Sequence, residues 1–241
     1  VKFVLDLFDK KTEKKINFFL KKIFIQEIPV LIDVGSHKGE YIENILNNFE
    51  VKKLYSFEPN PKIFKFLSKK LNNHQDIEVF NYGVGDQNKT EILHENLESS
   101  STTINKLNSK SKYFKKKYFL LNPFQIKKIS VPVKIQVITL EKFLINHKIE
   151  QVDLLKIDTE GYEFKVLIGL GNFIKNIRFI HFEHHFDDMI IKNYTLSDIH
   201  AYLKNKGFVK QKCLTQMNSL DLENFLKKWN FPYCMNLRSK N

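Results

Sequence analysis

Cysteine is nearly absent from this chain: Cys213 and Cys234 are the only two in 241 residues. Two thiols make no disulfide framework, and no zinc-site spacing is present, so a reduced interior is the simplest setting. Arginine is as scarce, found only at Arg178 and Arg238. Arg is the usual specific reader of phosphate and base edges, so a dedicated nucleic-acid partner is not expected. No apolar run approaches the roughly 20 residues of a spanning helix. Val1 to Phe24 lacks the unbroken apolar centre and small-residue cleavage site of a signal peptide. From these absences a cytoplasmic location is expected.

Lysine and phenylalanine are plentiful. Lys+Arg number 39 against 27 for Asp+Glu, a net charge of +12, and the chain holds 22 Phe with 42% hydrophobic residues. That is enough to bury a core in one domain of ordinary to large size. The basic excess reads either as the codon usage of an AT-rich genome or as attraction to something acidic: nucleic acid, an anionic glycan or a membrane surface. Residues 1–25 form an amphipathic helical extension in this reading. Phe3, Leu7, Ile16, Phe19, Leu20 and Ile23 lie on apolar faces, with Lys10, Lys11, Lys14, Lys15, Lys21 and Lys22 opposite. Such a helix either packs on the core with a solvated basic face or makes peripheral contact with an anionic membrane or a partner.

The chain is organised around Val30-Leu31-Ile32-Asp33-Val34-Gly35-Ser36-His37-Lys38-Gly39-Glu40. A short apolar run ends in an acid, two glycines follow four apart, and a helical pattern begins at Tyr41. This is strand, tight turn, helix, the unit that seats a ligand at the carboxyl end of a parallel strand. A dinucleotide site wants G-x-G-x-x-G, but His37 stands at the third position of that pattern, which disfavours a nicotinamide cofactor. An acid before the turn suits an ammonium or sulfonium. Leu54-Tyr55-Ser56-Phe57-Glu58 is a second strand ending in an acid, placed to accept two hydrogen bonds from a ribose diol. The two motifs together point to a nucleoside-bearing cation, S-adenosylmethionine.

Strand and helix alternate through residues 29–83, which argues for a parallel sheet with helices on both faces. Gly83-Val84-Gly85-Asp86 either makes only a turn or sets Asp86 beside an adenine amine. Residues 95–128 interrupt the rhythm with Ser99 to Thr103, a lysine-rich run and Tyr113, Phe114, Tyr118 and Phe119. They form a solvated insertion or a substrate-side lid. Val131–Thr139 resumes as an extended segment whose Pro132 suggests an edge. Val152–Asp158 and Arg178–Glu183 are two further strands, so acids stand at four strand ends: Asp33, Glu58, Asp158 and Glu183. Glu160, His184 and His185 follow within two residues. Glu160 alternatively serves as a helix cap, and the two histidines as ordinary surface residues. Lys156 lies on the same strand face as Asp158, as its partner or as a contact to a substrate oxygen.

Asp33-Val34-Gly35-Ser36-His37-Lys38-Gly39, Phe57-Glu58-Pro59-Asn60-Pro61 and Lys156-Ile157-Asp158-Thr159-Glu160-Gly161-Tyr162-Glu163 strongly resemble the FkbM family of S-adenosylmethionine-dependent methyltransferases. The family pattern runs D-V-G-A-N-x-G, F-E-P and K-I-D-x-E-G-x-E. Ser36-His37 replaces the commoner Ala-Asn, a change at the methionine end. The resemblance covers about residues 28–208. It implies an α/β fold, the Rossmann-like class I methyltransferase arrangement, over 26–214, with 1–25 as an extension and 215–241 as a tail. It also implies O-methylation of sugars, polysaccharides, lipid-linked glycans or macrolide-type products. Asp33, Gly35, Ser36 and Gly39 would hold the methionine part, Glu58 the ribose and Asp86 the adenine edge. Asp158, Glu160 and His184 are the candidates for the base that a sugar hydroxyl needs. No metal ligand is assigned, although Asp158, Glu160 and Glu183 are the acids that would gather Mg²⁺. Weighed against this are a nucleic-acid methyltransferase using the same cofactor and a non-catalytic glycan- or membrane-binding module.

Overall fold

The computed structural model describes residues 13–96, 102–108, 110, 111, 115, 130–184, 188, 190–214 and 233–238. Residues 1–12, the expected helix Leu220–Lys228, His185 and the aromatics Tyr113, Phe114, Tyr118 and Phe119 lie outside the described residues. In chain order come a helix α1 over residues 13–21, β1 (Glu27–Val34), α2 (Glu40–Leu46), β2 (Glu50–Phe57), α3 (Pro61–Leu71) and β3 (Ile77–Phe80). Then follow β4 (Gly83–Val84), β5 (Lys89–Asn96), β6 (Ser130–Ile138), α4 (Leu140–Asn146), β7 (Val152–Ile157) and α5 (Glu163–Ile168). A 3₁₀ turn (Gly171–Asn176), β8 (Ile177–Glu183), α6 (Leu196–Asn205), β9 (Phe208–Leu214) and β10 (Tyr233–Arg238) complete it.

Seven strands form one sheet in the order β3-β2-β1-β7-β8-β10-β9. Strands β3, β2, β1, β7 and β8 pair in parallel, whereas β10 is antiparallel to both its neighbours. The segment read in sequence as a tail therefore supplies an internal strand. Its register sets Cys234 opposite Cys213, the chain's two cysteines. The order reverses between β1 and β7, and that reversal opens the crevice in which parallel sheets bind ligands.

Both faces of the sheet are covered. All six residues of β7 and the last four of β1 are buried, which is why these strands read as near-continuous apolar runs. On one face Ile16, Leu20 and Phe24 of the α1 region, Ile42 and Ile45 of α2, and Leu67 and Leu71 of α3 pack on Leu31, Leu54, Leu154 and Phe179. On the other, Phe143, Leu144, Val166, Leu167, Ile199 and Leu203 pack on Ile32, Val34, Phe57, Leu155, Ile157 and Phe182. Caps fix the helix starts: Asn60 accepts the Lys62 N–H ahead of Pro61, and Thr195 makes a reciprocal capping box with Asp198.

A second, three-stranded sheet has the order β4-β6-β5. Pro132 suggested an edge strand, yet β6 is the middle one. The reason is that β4 pairs only with Val137 and Ile138, so Pro132 lies on a stretch paired with β5 alone.

Candidate active site

The turn after β1 is built from left-handed residues: Gly35 (φ 79°), His37 (φ 47°) and Gly39 (φ 84°). A Cβ on Gly35 would stand 1.8 Å from the Asp158 carbonyl oxygen, and one on Gly39 would stand 2.8 Å from a Leu67 methyl. The glycines let the β1 turn close against the end of β7 and the side of α3. Ser36, expected to touch a ligand, is buried instead. Its hydroxyl donates to the Asp33 carbonyl (3.1 Å) and accepts from Ser56 (2.7 Å), stitching β1 to β2.

Glu58 stands at the end of β2 and faces the same turn. One carboxylate oxygen accepts the His37 N–H at 2.9 Å and the other the Asn60 N–H at 2.8 Å. Each keeps a lone pair for a further donor. Burial raises this carboxyl to about 7, against the pull of those two amides, His37 and Lys156. Asn81, which the sequence did not single out, donates to the carbonyls of Glu58 and Pro59 at 2.9 and 3.0 Å and closes β3 onto the same corner.

Asp33, Lys156 and His181 are register partners across β1, β7 and β8 and form a buried polar row. The Lys156 ammonium lies 3.0 Å from Asp33 Oδ1 and 3.6 Å from Asp158 Oδ2, and donates to the Gly35 carbonyl at 2.9 Å. Lys156 is thus a cation built into the fold beside Asp33. Asp33 Oδ2 has no hydrogen-bond donor among the described residues. Burial opposes the charge on Lys156, but Asp33, Asp158 and Glu183 overcome it and hold the ammonium at about 12. Tyr41 of α2 roofs the row, its hydroxyl 3.3 Å from His181 Nδ1 and its ring 5.3 Å from the ammonium. Burial, then Lys156, lowers His181 to about 3, which makes it a neutral imidazole at pH 7. Neither Tyr41 nor His181 was legible as a site residue, because each sits on an ordinary apolar pattern.

At the end of β7 the Lys156–Glu163 motif folds into a tight turn, with Glu160 (φ 51°) and Gly161 (φ 92°) left-handed. Glu163 holds it together. Its buried carboxylate accepts the Gly161 N–H (2.8 Å), the Thr159 hydroxyl (3.1 Å) and the Tyr194 hydroxyl (2.6 Å). Glu160 is not the cap of α5: that position is Tyr162. Asp158 and Glu160 lie close enough to Glu183 that, after burial, their charges push the Glu183 carboxyl well above the ordinary carboxylate range. Asp158, Glu160 and Glu183 therefore share one patch. His184 is buried, its ring centroid 6.0 Å from that of Tyr194, and burial lowers it to about 4. Asp86 lies on the loop after β4, 3.7 Å from the Lys89 ammonium. No group of three or more His, Cys, Asp or Glu among the described residues is placed to hold a metal ion, so the three acids expected to gather Mg²⁺ do not form a ligand set.

The described part of the 95–128 insertion reaches this patch. The Thr103 hydroxyl donates to the Glu160 carbonyl at 2.6 Å, and the Asn105 amide donates to the Gly161 carbonyl. Leu107 bridges to Ile190, and the Ile191 N–H donates to Lys106 at 2.9 Å. Residues 102–107 are a strap across the turn.

A Methyltransferase FkbM domain model matches residues 33–210, most of the chain. The chain belongs to the FkbM methyltransferase family. Among solved structures, the methyltransferase FkbM from Methylobacillus flagellatus KT superposes with a TM-score of 0.52 at 13% identity, covering 87% of this chain and 43% of that one. This FkbM chain thus spans less than half of that protein's length. Magnesium protoporphyrin IX methyltransferase from Synechocystis PCC 6803, solved with bound SAM, superposes with a TM-score of 0.51 at 7% identity over 98% of this chain and 82% of that one. The shared fold is the class I methyltransferase fold. No curated protein matches the sequence.

Proposed function

We propose that this chain is an S-adenosylmethionine-dependent O-methyltransferase acting on a hydroxyl of a sugar, polysaccharide or other glycoconjugate. The observation that carries the cofactor is Glu58: a buried carboxylate at the mouth of a glycine turn, aligned by two backbone amides, with a lone pair left on each oxygen for a ribose diol. The donor set fits the cofactor. The Gly35 and Gly39 turn closes against the end of β7 and the side of α3, beside the strand-order reversal, and Asp33 Oδ2 lacks a donor among the described residues. When bound, S-adenosylmethionine supplies a methyl carbon already activated by a sulfonium.

The chain's own task is alignment and proton removal. As the acceptor oxygen bonds the methyl carbon and the carbon–sulfur bond breaks, the acceptor proton leaves to a carboxylate of the patch. Asp158 is the first candidate: its side chain is 32% exposed and its position is set by Lys156. Glu160, on the turn after β7, is the second. A patch of Asp158, Glu160 and Glu183 accepts hydrogen bonds from a polyol and repels phosphate, which favours a neutral sugar over a nucleic acid.

The test is calorimetric titration with S-adenosylmethionine and S-adenosylhomocysteine, with NAD as control. Micromolar binding of the first two is expected, with a loss of about 10- to 100-fold in Glu58→Ala, the worth of a charged hydrogen-bonding partner. Folded protein that binds neither compound overturns the reading. An acceptor screen starting with sugars then follows, and Asp158→Asn should abolish turnover while cofactor affinity stays within a few fold.

A further inference from the structure

The segment that enters β1 presents an outer face of cations and apolar side chains. Between positions 14 and 25 the exposed residues are Lys14, Lys15, Phe18, Lys21, Lys22 and Ile25: four cations, two large apolar side chains and no acid. Phe18 is 64% exposed and Ile25 85% exposed. The core does not require either, because Ile16, Leu20 and Phe24 already fill the inner face. The spacing of three and four places Phe18, Lys21 and Lys22 along one side of the helix, and Ile25 follows on the bend after it. Backbone hydrogen bonds from Lys22, Ile23 and Phe24 to Phe19 and Leu20 continue the winding past residue 21. The Lys22 ammonium sits 4.3 Å above the Phe18 ring, so charge and apolar surface are presented together.

The segment is also firmly anchored, so the face is a fixed feature of the domain. Asn17 and Asn44 exchange side-chain amide hydrogen bonds at 2.9 and 3.1 Å, tying α1 to α2. Phe19 and Phe24 pack on Phe179, with centroids 6.0 and 6.2 Å away, and Arg178 donates to the Ile23 carbonyl at 3.3 Å.

We infer that this face docks the domain onto an anionic lipid bilayer, with the lysines on the headgroups and Phe18 and Ile25 inserted at the acyl boundary. Cations beside projecting apolar residues are what an interfacial helix presents to anionic lipid. An acidic protein would satisfy the lysines but gives no reason to leave an Ile almost wholly in water. The inference does not depend on the methyl-transfer reading.

Vesicle co-sedimentation of the full chain tests it. Binding to vesicles holding one third phosphatidylglycerol is expected to exceed binding to pure phosphatidylcholine by about 10-fold or more, and to weaken with salt. Lys14→Glu/Lys15→Glu/Lys21→Glu/Lys22→Glu should lose the anionic preference. Phe18→Ser/Ile25→Ser, with its thermal unfolding unchanged, should bind several-fold less at every salt concentration. The inference is overturned by equal binding to both vesicle types, by a Phe18→Ser/Ile25→Ser variant that binds like the parent, or by sedimentation showing a dimer that this variant dissociates.

Discussion

A methyl group added at Gly35 meets the Asp158 carbonyl oxygen at 1.8 Å, and the residue's φ of 79° strains any side chain. At Gly39 the φ is similar, but the obstacle is a Leu67 methyl at 2.8 Å, which a side-chain rotation relieves. Gly39→Ala should therefore cost about 1–2 kcal/mol, the penalty of the left-handed conformation, and a few degrees in thermal unfolding. Gly35→Ala should cost more, because two strand ends must separate; equal shifts would show that the crevice is looser than the geometry indicates. Glu58 carries a pH prediction. Its folded value near 7 lies above the ordinary 4.5. Between those values the folded state holds the proton and the unfolded state does not, so the free protein loses stability as pH rises from about 4.5 to 7. Ligand affinity runs the other way. A ribose diol needs the ionised acceptor, so S-adenosylmethionine should bind more weakly as pH falls below about 7, by up to tenfold per unit. Titration from pH 5.5 to 8.5 checks this, and Glu58→Gln should flatten the profile.

The turn between β7 and α5 depends on one buried carboxylate. Glu163→Ala would strand the Gly161 N–H and the Tyr194 hydroxyl, at about 1–3 kcal/mol for each unsatisfied group. Urea unfolding should show a loss of at least about 2 kcal/mol. Thr103→Val is nearly isosteric and removes the donor to the Glu160 carbonyl and the acceptor of the Asn105 N–H. It should speed hydrogen exchange across residues 102–107 and leave cofactor affinity unchanged, since the strap touches the acid patch and not the Glu58 corner. How far these elements were legible follows from what each residue does. Strands β1, β2 and β7 were visible because burial on both faces writes an unbroken apolar run. Gly35 and Gly39 were visible because only glycine tolerates such a turn. The β10 strand was not, because its partners are fixed by tertiary pairing and its buried Asn236 breaks the apolar pattern. Ser36 and Asp33 lie in the right motif, but their hydrogen bonds and ion pair turn inward, and sequence spacing does not report direction. The 95–128 insertion was visible as a solvated loop or lid, but its hold on the turn was not, because Thr103 and Asn105 act through backbone carbonyls 57 and 56 positions away.

At the scale of the whole molecule, the row Asp33–Lys156–His181 ties the two halves of the sheet together where the strand order reverses. It is an ion pair within the core, and such pairs stabilise little by themselves while being costly to break singly. Lys156→Met leaves Asp33 buried and unpaired, and should cost about 3–5 kcal/mol. Asp33→Leu/Lys156→Met removes both charges and should recover most of that loss, because well-packed apolar residues replace a buried pair at little net cost. Function should not recover with it. Lys156 also holds the Gly35 carbonyl at 2.9 Å and stands 3.6 Å from Asp158, so the double variant keeps the sheet but frees both the glycine turn and the acid patch. The expected pattern is a stable protein with weakened S-adenosylmethionine binding and no turnover, read from urea unfolding, calorimetry and methyl transfer on the same samples. A double variant as unstable as Lys156→Met would mean that the charges hold the sheet rather than the site. One that stays stable and active would remove the row from the mechanism.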